Sequence, residues 1–150
     1  MNAVLVLHGP NLNLLGQREP EIYGRITLEE INLRLVKMGE QAGMAVRTFQ
    51  SNSEGDLIDA LQEARSWAGG VIFNPGGYTH TSIALRDTIS ALDIPVIEVH
   101  LSNIFARETF RHTSLTGAAA AGGVHGLGWR SYTLAMQALI EIIQEREQSA

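Results

Sequence analysis

Short apolar runs alternate with helical patterns along the chain, and this alternation predicts the fold. Residues 3–7 form a continuous apolar run, which is typical of a strand buried on both faces. Apolar positions then recur at about 100° per residue over residues 28–42, which predicts a helix. Further strands are predicted at residues 44–50, 71–73, 96–101 and 119–125, and further helices from residue 53, over 83–92 and over 131–147. Five strand–helix units predict an α/β fold, in which a doubly wound, five-stranded parallel sheet carries helices on both faces as a three-layer sandwich.

Local signals mark the ends of some of these helices. Thr27 and Glu30 form a capping box at the start of the first predicted helix, and Gly43 is placed to end it. The last predicted helix is apolar over much of its circumference, which is more than one core contact requires. Two interpretations of that helix stay open: it is covered within the chain, or it contacts another copy.

Polar loops follow the first, third and fourth predicted strands. The first loop, residues 7–24, is long for a strand-to-helix connection and is crowded with turn-forming residues. Ligands of doubly wound sheets bind beyond the carboxyl ends of the strands, where these loops lie. Because the same three loops are the richest in Asn, His, Arg and Tyr, the pattern predicts an active site there.

Composition narrows the class of protein. A length of 150 residues predicts a single catalytic domain over residues 1–150. The chain has no cysteine, no signal-peptide pattern and no apolar run of about 18 residues, so we expect a cytoplasmic protein without a membrane partner. Its net charge of −5 argues against a nucleic-acid partner.

The side chains that would support metal or Schiff-base chemistry are scarce. Of the eleven cationic residues only Lys37 is a lysine, and it lies opposite the apolar stripe of its helix, so we expect it in solvent and unsuited to a Schiff base. His8, His112 and His125 have no ligand partners at metal-like spacing, and no metal site is predicted. We place His8 and His125 at the edge of the core.

Tyr23 and Arg18 are a candidate catalytic pair in the first loop. Tyrosine is a poor base at neutral pH unless a nearby cation favours the phenolate, and a loop can bring residues five apart together. The alternative from spacing alone is a tyrosine that caps the loop beside a solvated arginine.

Glu98 and His100 are a second candidate pair, at the end of the fourth strand. Residues two apart on a strand point to the same face, so the carboxylate can orient the imidazole and keep it protonated as a general acid. The alternative is a structural ion pair.

The remaining loops suit an anionic ligand. Gly76 and Gly77 allow backbone amides to approach a ligand, and Ser82 precedes a helix whose N-terminus suits a carboxylate. Arg107 and Arg111 can clamp a carboxylate. The alternatives are an ordinary turn and two solvated charges. Taken together, a tyrosine base, a histidine acid, asparagines and arginines suit proton abstraction beside a carbonyl and loss of a leaving group from a small anion.

Four motifs now identify a family that the chain resembles over essentially its whole length, the type II 3-dehydroquinate dehydratases. The motifs are GPNLNLLGQREPEIYG at residues 9–24, QSNSEGDLID at 50–59, NPGGYTHTSIALRD at 74–87 and EVHLSNIFARETFRHTS at 98–114. The resemblance implies a flavodoxin-like fold and dehydration of 3-dehydroquinate, an anionic cyclic hydroxy-keto acid, to 3-dehydroshikimate in the shikimate pathway or in quinate catabolism. It also implies no cofactor, no metal and a homo-oligomer, a dodecamer built from trimers.

The resemblance also implies roles for individual residues. Tyr23 is similar to the family's base, with Arg18 beside it, and His100 is similar to its acid, oriented by Glu98. Asn11 is similar to the residue that stabilises the enolate through a bound water. The implied substrate-binding positions are Asn74, Gly76, Gly77, His80, Asp87, Leu101, Ser102 and Arg111, with Asp87 contributed across a subunit interface. The competing hypothesis is a non-catalytic flavodoxin-like module that binds a small carboxylate or nucleotide.

Overall fold

The computed structural model describes all 150 residues, Met1–Ala150, and contains five strands and five α-helices. The strands are β1 (Ala3–His8), β2 (Ala45–Gln50), β3 (Gly70–Asn74), β4 (Val96–His100) and β5 (Gly122–His125). The helices are α1 (Pro20–Tyr23), α2 (Leu28–Gln41), α3 (Glu54–Ala64), α4 (Ile83–Ser90) and α5 (Arg130–Gln148). Four short 3₁₀ turns lie in the loops that follow β1, β3 and β4. No helix combines the length and the apolar character that crossing a bilayer requires.

The strands form one parallel sheet in the order β2-β1-β3-β4-β5. This order is that of the flavodoxin-like fold, whose switch point lies between β1 and β3. The register pairs His8 with Asn74 across that switch point, so the last residues of the two strands lie side by side. The predicted five-stranded, doubly wound sheet is confirmed.

Two hydrophobic cores flank the sheet and make it a three-layer sandwich. Val4 and Val6 of β1 pack with α2 and α5 on one face, and Leu5 and Leu7 pack with α3 and α4 on the other. This alternation follows from the period of two in a strand. It explains why β1 reads as an unbroken apolar run, because both faces of a central parallel strand are buried.

The predicted helix signals act as expected. Thr27 accepts a hydrogen bond from the backbone N–H of Glu30 (3.2 Å) and caps α2, and Gly43 beyond its end adopts a positive φ of 73°. Lys37 is exposed, as predicted. The apolar surface of α5 is largely covered within the chain, where Tyr132 and Met136 are fully buried.

Two boundaries differ from the prediction by two residues or more, the loop predicted over residues 7–24 contains the short helix α1, and two histidines lie elsewhere than predicted. β5 begins at Gly122 rather than at residue 119, because Ala119 closes a turn on Thr116 instead of pairing with β4. α4 ends at Ser90, two residues early. The edge-of-core placement was wrong for both histidines: His8 is fully buried, because it ends a central strand under α5, and His125 is exposed on the edge strand β5.

Candidate active site

A cleft of about 620 Å³, partly open to solvent, lies at the carboxyl ends of β1, β3 and β4. Its position is the one that the three polar loops predict. The residues that line it are Pro10, Asn11, Leu12, Arg18, Tyr23, Asn74, Gly76, Gly77, His80, His100, Leu101, Ser102, Ile104, Arg107 and Arg111. Tyr23 and His100, the predicted base and acid, therefore share one cavity.

Tyr23 lies at the end of α1, in the long loop after β1, beside Arg18. The guanidinium donates a long hydrogen bond to the phenol oxygen (Nη2 to OH, 3.5 Å), and its Cζ lies 4.7 Å from the ring centroid. Arg107 approaches the same ring from another loop, with its Cζ 5.3 Å from the centroid. Two guanidinium groups therefore lie beside the Tyr23 ring.

His100 ends β4 and faces the cleft with Glu98 behind it. The Nε2 of His100 lies 3.1 Å from the Glu98 Oε2 and 3.5 Å from the Thr79 hydroxyl. Because the carboxylate accepts the Nε2 proton, the other ring nitrogen, Nδ1, is left without a partner in the chain. The predicted pairing of Glu98 with His100 is therefore present, and the role of His100 as an acid stays a prediction.

Glu98 does not line the cleft itself but is held beneath it by hydroxyl groups. Ser114 donates to its Oε2 at 2.8 Å, and Thr116 donates a short hydrogen bond to its Oε1. Burial raises the pKa of the Glu98 carboxyl, but His100, Thr116 and Ser114 together outweigh it, so the net pKa lies below its ordinary value. Glu98 is therefore ionised beside the imidazole.

Asn74 and His80 form the floor of the cleft. The Asn74 side chain is 3% exposed, accepts a hydrogen bond from the backbone N–H of Gly76 (3.1 Å) and donates one to the Tyr132 hydroxyl (3.1 Å). His80 donates from Nδ1 to the Thr113 carbonyl (2.8 Å). These contacts leave one Asn74 N–H and the His80 Nε2 for a ligand.

Asn11 stands at the mouth of the cleft in a strained conformation. Its φ of 69° is in the left-handed region, which asparagine tolerates better than most residues. Its backbone N–H donates to the Asn52 Oδ1 (3.0 Å), whereas its side-chain amide has no partner in the chain. The free amide faces the cleft as a ready donor.

The loop after β4 contributes two arginines to the cleft. Arg107 donates to the Ser102 hydroxyl (Nη1 to Oγ, 3.3 Å), and its Nε is buried without a hydrogen bond. Arg111 donates to Glu108 at 3.1 Å, and this contact leads the effects that lower the pKa of the Glu108 carboxyl. Arg107 lines the cleft although it is not among the substrate-binding positions that the family resemblance implies. Its charge and its place after β4 had already made it a candidate carboxylate clamp.

Two predicted ligand-binding residues lie outside this cleft. Ser82 is buried, caps α4 and donates its hydroxyl to Glu54 (2.6 Å), so the expectation of a carboxylate at Ser82 was wrong. Asp87 is exposed on α4 and lines no part of the cleft of its own chain. The other predicted ligand-binding positions line the cleft. No three His, Asp or Glu side chains are grouped to hold a metal ion.

Comparison with known proteins identifies the family of this chain. The model of the family described as dehydroquinase class II matches residues 2–140. A 3-dehydroquinate dehydratase of Legionella pneumophila (strain Corby) is 55% identical over 142 residues, which are 94% of this chain and 98% of that protein. A 3-dehydroquinate dehydratase of Acaryochloris marina is 51% identical over 142 residues, 95% of each chain. The crystal structure of the type II dehydroquinase from Propionibacterium acnes superposes with a TM-score of 0.90 at 40% identity, covering 94% of this chain and 97% of that one. The chain therefore belongs to the class II dehydroquinase family of enzymes.

Proposed function

We propose that this dehydroquinase converts 3-dehydroquinate to 3-dehydroshikimate, in the shikimate pathway, through an enolate intermediate. The observation that carries the proposal is the shared cleft of Tyr23 and His100, because loss of water across a carbon–carbon bond needs a base at one carbon and an acid at the leaving hydroxyl. Residues 1–150 act as a single catalytic domain, since all five strands belong to one sheet and the cleft draws on three of its loops.

Tyr23 is the base in the first step. With Arg18 and Arg107 beside its ring, the Tyr23 phenolate removes the proton from the carbon beside the ketone, and the electrons move onto the carbonyl oxygen. Asn11 then stabilises the enolate oxygen through a water molecule. The free side-chain amide of Asn11 at the cleft mouth supports this role.

His100 is the acid in the second step. The enolate expels the hydroxyl group from the adjacent carbon while His100 donates a proton from Nδ1, so water leaves and a conjugated enone forms. The ionised Glu98 holds the opposite nitrogen and stabilises the imidazolium before transfer.

The other cleft residues bind the anionic substrate. Arg107 and Arg111 provide cations for its carboxylate, and Asn74, His80 and Ser102 provide polar contacts for its hydroxyl groups. Gly76, Gly77 and Leu101 let the backbone approach the ring. When the loop of Arg18 and Tyr23 closes, it excludes water and strengthens these interactions.

The active form is a homo-oligomer, a dodecamer built from trimers, in which Asp87 acts on a neighbouring cleft. Exposed Ile83, Phe105 and Phe110 support association, and Asp87 shares α4 with Ile83. Light scattering tests the oligomer, and the mass of twelve chains is expected; the mass of a single chain would contradict association. The cytoplasmic location stays a prediction from the sequence.

The direct test is the ultraviolet absorbance of the enone after addition of 3-dehydroquinate. An increase that depends on protein concentration is expected, without added metal or cofactor. A ligand-binding module would bind 3-dehydroquinate without any increase, and that result would overturn the proposal. Borohydride treatment in the presence of substrate distinguishes an enolate mechanism from a Schiff-base mechanism. A Schiff base on Lys37 would be reduced and trapped, whereas an enolate would not.

A further inference from the structure

A chain of buried polar groups runs beneath the floor of the cleft, from Asn74 to helix α2. The Asn74 Nδ2 lies 3.1 Å from the Tyr132 hydroxyl, which lies 2.9 Å from the His8 Nδ1. The His8 Nε2 in turn lies 2.7 Å from the Asn32 Oδ1. Tyr132 and His8 are fully buried, and neither lines the cleft, so the reaction as proposed does not use them.

The direction of each hydrogen bond follows from its neighbours. The Gly76 N–H can only donate, so it holds the Asn74 Oδ1 and leaves the Asn74 Nδ2 toward Tyr132. The Tyr132 oxygen accepts from Asn74, and its own hydrogen can then go only to the His8 Nδ1. Neutral imidazole carries one hydrogen, which is therefore on Nε2 and is donated to Asn32.

Reversing these hydrogen bonds leaves one buried donor without an acceptor. If His8 carried its hydrogen on Nδ1, the Tyr132 oxygen would accept from both His8 and Asn74, and its hydroxyl hydrogen would have no acceptor. An unsatisfied buried donor is costly, so the first arrangement is favoured. Burial supports it as well, because it lowers the pKa of His8 to about 4 and keeps the ring neutral, while the hydrogen bond with Asn32 acts in the opposite direction.

We propose that Tyr132 and His8 are positioning residues that act together with the Gly76 N–H to lock the side-chain amide of Asn74, so that it presents an N–H, and not its oxygen, to the substrate. The inference rests on the proposed function for the identity of that substrate. Its consequence is a specificity rule: the substrate atom that meets Asn74 is a hydrogen-bond acceptor, a hydroxyl or carboxylate oxygen. With its amide free to turn, Asn74 would offer donor and acceptor alike.

The kinetic test is Tyr132→Phe, which removes one hydroxyl and keeps the buried ring. Loss of that single hydrogen bond is expected to lower kcat/KM by about five- to tenfold, mainly through KM, because Asn74 contacts substrate and transition state alike. In an Asn74→Ala background the same change should have no further effect. Equal losses in both backgrounds, or a loss confined to kcat, would overturn the proposal.

Matched variants separate positioning from packing. His8→Asn keeps an acceptor near the Nδ1 position, so its KM should stay close to that of the wild type. His8→Leu removes the acceptor and should raise KM as Tyr132→Phe does. Met136→Leu, a buried apolar change on the same helix, should leave KM unchanged. If His8→Asn and His8→Leu raise KM equally, the hydrogen-bond chain has no positioning role.

A measurement on the ligand-free protein decides the arrangement without any turnover. Nitrogen-15 NMR of the histidine rings should show His8 with its hydrogen on Nε2, and Tyr132→Phe should make the Asn74 side-chain amide exchange faster. The Nδ1–H form of His8 would overturn the inference even if the wild-type protein dehydrates 3-dehydroquinate. If instead the NMR result holds and no enone forms, the proposed function fails and the polar chain stands.

Discussion

The two walls of the cleft are held in opposite ways. The fixed wall comprises Asn74 of the cleft floor, His100, and the Glu98 that lies behind His100. These residues belong to β3 and β4, and each is at most 7% exposed and hydrogen-bonded to other side chains. The flap, residues 16–24, contains Arg18 and Tyr23 and has no buried residue. Its one polar contact between the proposed catalytic side chains is the long 3.5 Å bond.

The two proposed catalytic side chains are therefore held with different rigidity. The proposed acid, His100, is preorganised by the sheet, because its ring is held by a carboxylate that is itself held by two hydroxyl groups. The proposed base, Tyr23, is on a segment without buried residues, and such segments open locally at low free-energy cost. Substitutions in the fixed wall should therefore change stability and activity together, whereas substitutions in the flap should change activity alone.

The largest expected effect comes from removing the base or the acid. Tyr23→Phe and His100→Ala should each lower kcat by about 10²–10⁴-fold while substrate still binds, as measured by enone absorbance and calorimetry. His100→Ala should also lower the free energy of unfolding by about 2 kcal/mol, because Glu98 loses a buried partner. Tyr23→Phe should leave the free energy of unfolding unchanged. Equal effects on unfolding would show that the flap is packed as firmly as the fixed wall.

Acid should destabilise the folded chain through His8, which lies beneath Asn74 of the fixed wall and is linked to it by Tyr132. Burial lowers the pKa of His8 from 6.5 to about 4, so between these values the unfolded chain binds a proton that the folded chain does not. The free energy of unfolding should fall as pH decreases from 6.5 to 4, by about 3 kcal/mol in total. Urea unfolding of His8→Asn should lack this component, and His125→Asn, an exposed control, should retain it. A wild-type pH slope in His8→Asn would contradict the prediction.

The sequence predicts the fixed wall better than the flap, because a strand has a regular backbone period and a loop does not. The fixed wall belongs to strands, so the period of two is enough to place Glu98 and His100 on one face. The flap has no such period. The spacing of Arg18 and Tyr23 allowed contact but did not require it, because a loop of turn-forming residues can place residues five apart either together or far from each other.

Long-range partners are the part that no local pattern could predict. Tyr132 is 58 residues from Asn74 and 124 from His8, and the three meet only because α5 returns across the carboxyl ends of β1 and β3. A histidine in an apolar strand therefore gave no sign of its partners. The parallel sheet itself was predictable, since its central strands are buried on both faces and read as apolar runs.

A matched pair of glycine substitutions tests the two walls directly. At Gly117, an alanine Cβ would lie 2.8 Å from the Ser114 hydroxyl that holds Glu98, so Gly117→Ala should lower the free energy of unfolding by about 1–2 kcal/mol. Gly24 adopts φ 80° and ψ −176°, a conformation that only glycine adopts readily, with open space around it. Alanine would be strained there, and the flap can relieve the strain by opening locally while the sheet stays folded. Gly24→Ala should therefore lower kcat without changing the unfolding midpoint. A lower midpoint for Gly24→Ala would show that the flap unfolds together with the sheet.

The smallest effect is expected for Arg18→Lys, which keeps the charge of the flap and removes its planar group. Lysine cannot stack on the Tyr23 ring and bond its oxygen from one plane, so kcat should fall by about tenfold or less while the unfolding midpoint stays the same. Arg25→Lys, an exposed neighbour outside the cleft, is the control and should behave as wild type. If Arg18→Lys has no effect on kcat, a positive charge at position 18 is sufficient, and neither the stacking of the planar group on the Tyr23 ring nor its hydrogen bond to the phenol oxygen is needed for turnover.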